Sequence, residues 1–168
     1  PEFKKIKDIA TNKNLNLFSL FDKKNDFQFL SHQYEGESQL LKIKYKNSIH
    51  KIKLNLIGKV QFKNVLMAVI ASIKSGVNIE DILNVIPKIK SVEGRFERVG
   101  RIKNNSKVIL DYAHTPDALK TCLQNIKEQF PGKKIALLFG CGGNRDQNKR
   151  AKMGKIADLF SDKIYLTD

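Results

Sequence analysis

The run Val108-Ile109-Leu110-Asp111-Tyr112-Ala113-His114-Thr115-Pro116 decides the fold. Three apolar residues suited to a buried strand end at a carboxylate, and an amphipathic helical stretch follows directly. Pro116 suits the first position of that helix and Thr115 the cap before it. The turn is therefore sharp, and Asp111 and His114 are expected to point into one cleft. In open α/β sheets ligands bind in the crevice at such strand ends. Helix and sheet geometry would tolerate many residues at 111 and 114, so a polar pair there marks a candidate site.

Downstream the pattern alternates. A helix over 116–130 stops at Pro131-Gly132, a strand over 135–139 leads into a glycine-rich loop, and a helix at about 149–160 precedes a strand over 164–166. That order predicts βαβ units on a parallel sheet. The last strand reaches the end of the sequence, so the second domain is expected to be incomplete. Upstream, Ser91-Val92-Glu93-Gly94-Arg95-Phe96-Glu97-Arg98 is a charged joint with glycine at its centre, and a domain boundary is expected there. The division is 1–98 and 99–168.

The first part has a different texture. Residues 15–56 read as β: Leu15 to Phe21 alternates partly, Phe27 to Leu30 is short, and Leu41 to Tyr45 alternates with Lys. After a turn at Asn47-Ser48 the alternation resumes from Ile49 to Leu56. Period two with Lys outward predicts a half-exposed antiparallel hairpin, with His32 and His50 on its surface. Gly58 breaks the pattern, and Phe62, Val65, Leu66, Val69, Ile70 and Ile73 make one apolar helical stripe. Gln61, Asn64, Ala68, Ala71 and Ser75 form the opposite, small and polar face. A second helix starts at the cap Asn78, carries Glu80 and Asp81 in its first turn, buries Ile79, Ile82, Leu83 and Ile86, and closes at Pro87.

With 168 residues and 41% hydrophobic content, the composition is globular. No stretch approaches the roughly 20 apolar residues of a membrane span. The opening Pro1-Glu2-Phe3-Lys4-Lys5 carries no signal peptide and no Met, which suggests a piece of a longer protein. The net charge of +14 invites a nucleic-acid partner. However, only five of the 31 basic residues are Arg (95, 98, 101, 145 and 150), and Arg is the bidentate reader of bases and phosphates. Scattered Lys on alternating positions reads instead as a solvated surface. Two cysteines, Cys122 and Cys141, are too few for a disulfide framework or a zinc site and read as buried free thiols in a reducing cytoplasm.

Two further constellations can carry chemistry. Gly140-Cys141-Gly142-Gly143-Asn144-Arg145-Asp146 lies between a strand and a helix, where backbone N–H groups and a helix N-terminus favour an anion. Arg145 can grip a carboxylate or a phosphate there. The loop is neither a Walker A loop nor a G-x-G-x-x-G fingerprint, and a tight turn accounts for it equally well. At the joint, Arg95 either reaches a phosphate or pairs with Glu93 or Glu97.

In order, Gly58 to Asn64, GRFE (94–97), DYAHTPDAL (111–119), FGCGGNRDxxKR (139–150) and the closing Thr167-Asp168 resemble the Mur ligase family. The likeness is to the branch that adds the third amino acid of the peptidoglycan stem. By motif it covers about 55–168, and residues 1–54 fit the later strands of a central domain. The resemblance implies an α/β chain holding the end of a central ATPase domain and the first part of an incomplete Rossmann-like C-terminal domain. It implies that Asn64 lies near the adenine, Arg95 contacts the ATP phosphates, Asp111 binds the ribose hydroxyls, and His114 lines the same cleft. Arg145 would contact the incoming amino acid. Gln61, Asn144 and Ala151 depart from the family's usual Asn, Asp and Pro.

The resemblance implies ATP and Mg2+ as cofactors. The partners would be a UDP-MurNAc-L-Ala-D-Glu substrate and a diamino acid, with neither nucleic acid nor membrane, in the cytoplasm. A phosphorylated D-glutamyl carboxylate would be attacked by the amine of the third amino acid, meso-diaminopimelate in preference to lysine. The triphosphate loop and the carbamylated lysine of such enzymes would lie upstream and the amino-acid-discriminating motif downstream. The 168 residues alone are therefore expected to be inactive. The competing readings are another Mur-type or folylpolyglutamate ligase, a basic nucleic-acid-binding module, and an inert scaffold of the same fold.

Overall fold

The computed structural model describes residues 2–15, 26–142 and 148–167. It begins with helix α1 (Glu2–Asn12). The β reading of the sequence begins only at Leu15, so this helix is an addition to it. The residues of the expected 15–21 alternation beyond Leu15 lie outside the described residues.

Strands β1 (Phe27–Glu35), β2 (Ser38–Tyr45) and β3 (Ser48–Leu54) form an antiparallel sheet in the order β1-β2-β3. Alternation builds it: Leu41, Ile43, Ile52 and Leu54 are buried on one face while Lys42, Lys51 and Lys53 are exposed on the other. Helix α2 (Lys59–Lys74) lays Phe62, Val65, Leu66, Val69 and Ile70 on that apolar face. Helix α3 (Ile79–Val85) starts at Asn78, whose side chain accepts the Glu80 N–H at 2.9 Å. It passes into a 3₁₀ turn at Ile86–Lys88 that contains Pro87. Ile86 is fully buried, whereas Ile79, Ile82 and Leu83 only half-bury against the same core.

His32 and His50 are only partly exposed, not free on the surface as expected. His32 stacks on Phe62 with ring centroids 4.6 Å apart and donates to Gln39 Oε1 at 2.8 Å. His50 is half-buried, and its enclosed Nε2 has no hydrogen-bond partner among the described residues. A period-two pattern says which face a residue takes, not what later packs over that face.

The joint contains an element that its charge concealed. Strand β4 (Glu97–Ile102) pairs antiparallel with β5 (Ser106–Leu110), so 108–110 does not enter the sheet in the parallel manner expected. β4 starts one residue before the expected division at 98. Helix α4 (Pro116–Gln129) follows, then β6 (Ala136–Gly140), α5 (Asn148–Phe160) and β7 (Lys163–Thr167). β6 and β7 pair in parallel, as the β-α-β order predicts. Leu119 and Leu123 of α4 and Met153 of α5 form the core beneath them, with Leu137, Phe139 and Ile156 packed around it.

A small cluster joins the two parts. Ile57 is buried against Phe96 and Cys122, with Ile109, Ile126 and Phe130 around them. Among the described residues no helix is long and apolar enough to cross a membrane.

Candidate nucleotide site at the joint

The turn after β5 forms as its sequence dictates. Thr115 is extended, its hydroxyl accepts the Ala118 N–H at 3.2 Å, and Pro116 occupies the first turn of α4. Asp111 is thereby left half-buried at the strand end and His114 exposed beyond it.

Asp111 Oδ2 accepts the backbone N–H of Phe96 at 3.0 Å, and the Tyr112 N–H donates to Gly94 O at 2.8 Å. These two bonds zip the strand end onto the GRFE turn. The turn needs holding: Phe96 sits at φ 47 and Gly94 at φ 65. For a bulky residue a left-handed φ is costly, on the order of 1–3 kcal/mol, and persists only where surroundings enforce it. Burial of the Phe96 ring and the Asp111 bond do so here. Glu97 closes the turn by accepting the Gly94 N–H at 2.8 Å.

Arg95 is exposed on the same turn, and its guanidinium lies over the Tyr112 ring at 4.9 Å. Neither Glu93 nor Glu97 pairs with it, and among the described residues it has no carboxylate partner. The guanidinium is thus oriented by an aromatic face while its charge stays available for an anion. His114 also leans on Tyr112, with ring centroids 5.1 Å apart and its Nδ1 3.2 Å from Tyr112 O. The structure brings Arg95 and His114 together on Tyr112, next in the chain to Asp111, and sequence reasoning had not singled Tyr112 out.

Asn64 is exposed on α2. One turn earlier Gln61 Nε2 donates to Arg95 O at 2.9 Å. The Gln61 departure from the family pattern therefore has a structural role, since its side chain fixes the helix face bearing Asn64 against the joint. Arg145, Asn144 and Asp146 lie outside the described residues. Cys122 is buried below the site, and its burial, helped by the Asp111 charge, pushes the thiol up to about 12. Cys141 is only half-buried, its Sγ 3.5 Å from Met153 Sδ, so the expectation of a buried thiol holds for one cysteine of the two.

Three buried polar side chains were also missed. Gln39 Nε2 donates to Leu56 O at 2.7 Å and to Gly58 O at 3.1 Å. Asn125 Oδ1 accepts the Lys59 N–H at 2.6 Å, and Gln129 Oε1 accepts the Gly58 N–H at 2.8 Å. Polar residues on an amphipathic helix read as surface when the partner lies far away in sequence. Asn125 and Gln129, spaced by one helical turn on the same face as Cys122, carried the one usable signal.

A mixed α/β chain with a carboxylate at a strand end, tied to an arginine-bearing turn between two packed parts, has the build of an α/β ligand site. Residues 94–168 belong to the Mur ligase, glutamate ligase domain family. Over 170 residues the chain is 35% identical to the UDP-N-acetylmuramoyl-L-alanyl-D-glutamate--2,6-diaminopimelate ligase of Rickettsia typhi, covering 99% of this chain and 33% of that one. It is 42% identical to the ligase of the same name from Fusobacterium nucleatum over 125 residues, 74% of this chain and 26% of the relative. A solved structure of a ligase with that name superposes with a TM-score of 0.67 at 26% identity, over 97% of this chain and 34% of the other. The chain spans about a third of the length of the Rickettsia typhi relative.

Proposed function

We propose that the chain is part of an ATP-dependent amide ligase that adds meso-diaminopimelate to UDP-MurNAc-L-Ala-D-Glu in peptidoglycan synthesis. The observation that carries the reading is the Asp111–Phe96 bond, which sets a strand-end carboxylate next to the turn of Arg95, an aromatic-backed guanidinium with no carboxylate partner among the described residues. The names of the curated relatives supply the substrate class.

The described groups fit a nucleotide. One Asp111 oxygen is held by Phe96, and the carboxylate keeps the lone pairs to accept ribose hydroxyls. Arg95 supplies positive charge for the phosphates, His114 and Tyr112 edge the cleft, and Asn64 approaches the base from α2. Arg145 is proposed, on sequence alone, to take the carboxylate of the incoming amino acid. When bound, ATP supplies the phosphoryl group that activates the D-glutamyl carboxylate, and this chain's residues bind and orient it. Among the described residues no three His, Cys, Asp or Glu converge on a metal position. Magnesium enters the reading through the family alone. The division into a central domain over 1–98 and a ligase domain over 99–168 is part of this proposal, supported by the start of the family match at 94. So is a cytoplasmic setting.

The test uses the full-length protein with ATP, Mg2+ and UDP-MurNAc-L-Ala-D-Glu, reading phosphate release and tripeptide mass with diaminopimelate or lysine as acceptor. Diaminopimelate product supports the reading, and lysine product alone moves it to another Mur-type ligase. Absence of product with both refutes it. Arg145→Ala is expected to raise the KM for the amino acid with less effect on ATP.

A further inference from the structure

Helix α2 opens at Gly58 with no side-chain cap of its own, although the first N–H groups of a helix have no intrahelical acceptor. The acceptors come from α4 instead. Gln129 takes the Gly58 N–H and Asn125 the Lys59 N–H, across separations of 71 and 66 residues. Both side chains are buried, at 3% and 8% exposure. Glu128, between them, reaches Lys59 Nζ at 2.6 Å, and Gln129 Nε2 goes on to Gly36 O at 3.3 Å in the β1–β2 turn. Gly58 itself stands at φ 86, and a Cβ there would lie 3.3 Å from Asn125 Oδ1 and from the Phe96 ring.

We infer that Asn125 and Gln129 are positioning residues: by capping α2 from α4, they set Asn64 at its working distance from Asp111. The proposal rests on the nucleotide reading above. Asn64 and Gln61 ride on α2, Asp111 lies just ahead of α4, and the Gln61–Arg95 and Asp111–Phe96 bonds meet on one short turn. Two bonds between the helices, one buried and one part-buried, brace that turn at a fixed angle, because losing either leaves an enclosed N–H unsatisfied.

The test is made in the full-length protein with Asn125→Leu and Gln129→Met, each close in volume to the residue replaced. Hydrogen exchange at the Gly58 and Lys59 amides is expected to be slow in the parent and faster in both variants. KM for ATP is expected to rise about tenfold, with kcat and the KM for the amino acid changed less than twofold. Asn125→Asp retains the acceptor at a helix N-terminus but gives up the donation to Thr121 O, and is expected to restore most of the KM. Fast exchange with unchanged KM for ATP, or slow exchange in every variant, overturns the proposal alone. A parent protein that does not turn over ATP overturns the nucleotide reading and this inference with it. Equal losses of kcat and of KM for both substrates, tracking only the folded fraction, reduce the pair to a purely structural role and also overturn it.

Discussion

The Asp111 carboxylate and the Phe96 backbone N–H meet at 3.0 Å, joining residues 15 positions apart across the joint between two packed parts. This bond restrains a left-handed phenylalanine and at the same time aims the adjoining arginine.

Replacing Asp111 therefore has two separable effects. Asp111→Ala removes the acceptor and is expected to cost about 1–2 kcal/mol of stability, read as a lower midpoint in thermal unfolding. Asp111→Asn keeps an acceptor for Phe96 and should unfold near the parent midpoint, yet raise the KM for ATP in the full-length protein. Should both variants unfold alike and use ATP alike, the carboxylate has neither of its assigned roles.

Acidification should destabilise the fold in two windows. His32 is held below its usual value of 6.5, first by burial, against the opposing hydrogen bond to Gln39, with Lys59 lowering it further and Glu128 raising it. The unfolded chain then binds more protons, so stability is complete above 6.5 and declines as pH falls toward the folded value. Glu37 follows at lower pH. Burial by itself would raise it, but hydrogen bonds from Arg98 and Lys107 and the charges of Arg101 and Arg98 outweigh burial and hold it below 4.5. Its stabilisation is present above 4.5 and lost as pH falls through the lowered value. Urea titrations from pH 8 to 3 should show both declines, with the first missing in His32→Gln and the second in Glu37→Gln. Salt should weaken the Glu37 contribution, since its partners are partly exposed.

The two thiols should label at different rates. With the Cys122 thiol pushed up to about 12 and buried, alkylation at pH 8 is expected to modify Cys141 first. Peptide mapping over a time course checks this, and early modification of Cys122 would show that α4 opens readily.

Much of the architecture was legible because the signals are local. Thr115 and Pro116 start α4, Asn78 starts α3, and the Phe62-to-Ile70 stripe buries one side of α2, each from chemistry within a few residues. β4 was not legible, since Glu97, Arg98 and Arg101 look like a solvated joint. Their reason is distant: Glu37, on the far β1–β2 turn, binds Arg98, Arg101 and Lys107 together. The same distance hid Gln39, Asn125 and Gln129. Of the candidate site, Asp111, His114 and Arg95 could be proposed by residue type and position. Tyr112, which physically gathers the last two, could not, because an exposed aromatic beside them has no periodicity to betray it.

The remote capping of α2 also bears on biosynthesis. As the chain leaves the ribosome, the Gly58 and Lys59 amides have no acceptor until residues 125 and 129 emerge. The first turn of that helix must stay hydrated through roughly a further 70 residues of translation, several seconds at ordinary elongation rates. The β1–β3 sheet can collapse early, but its completing helix ripens only once the distal half arrives.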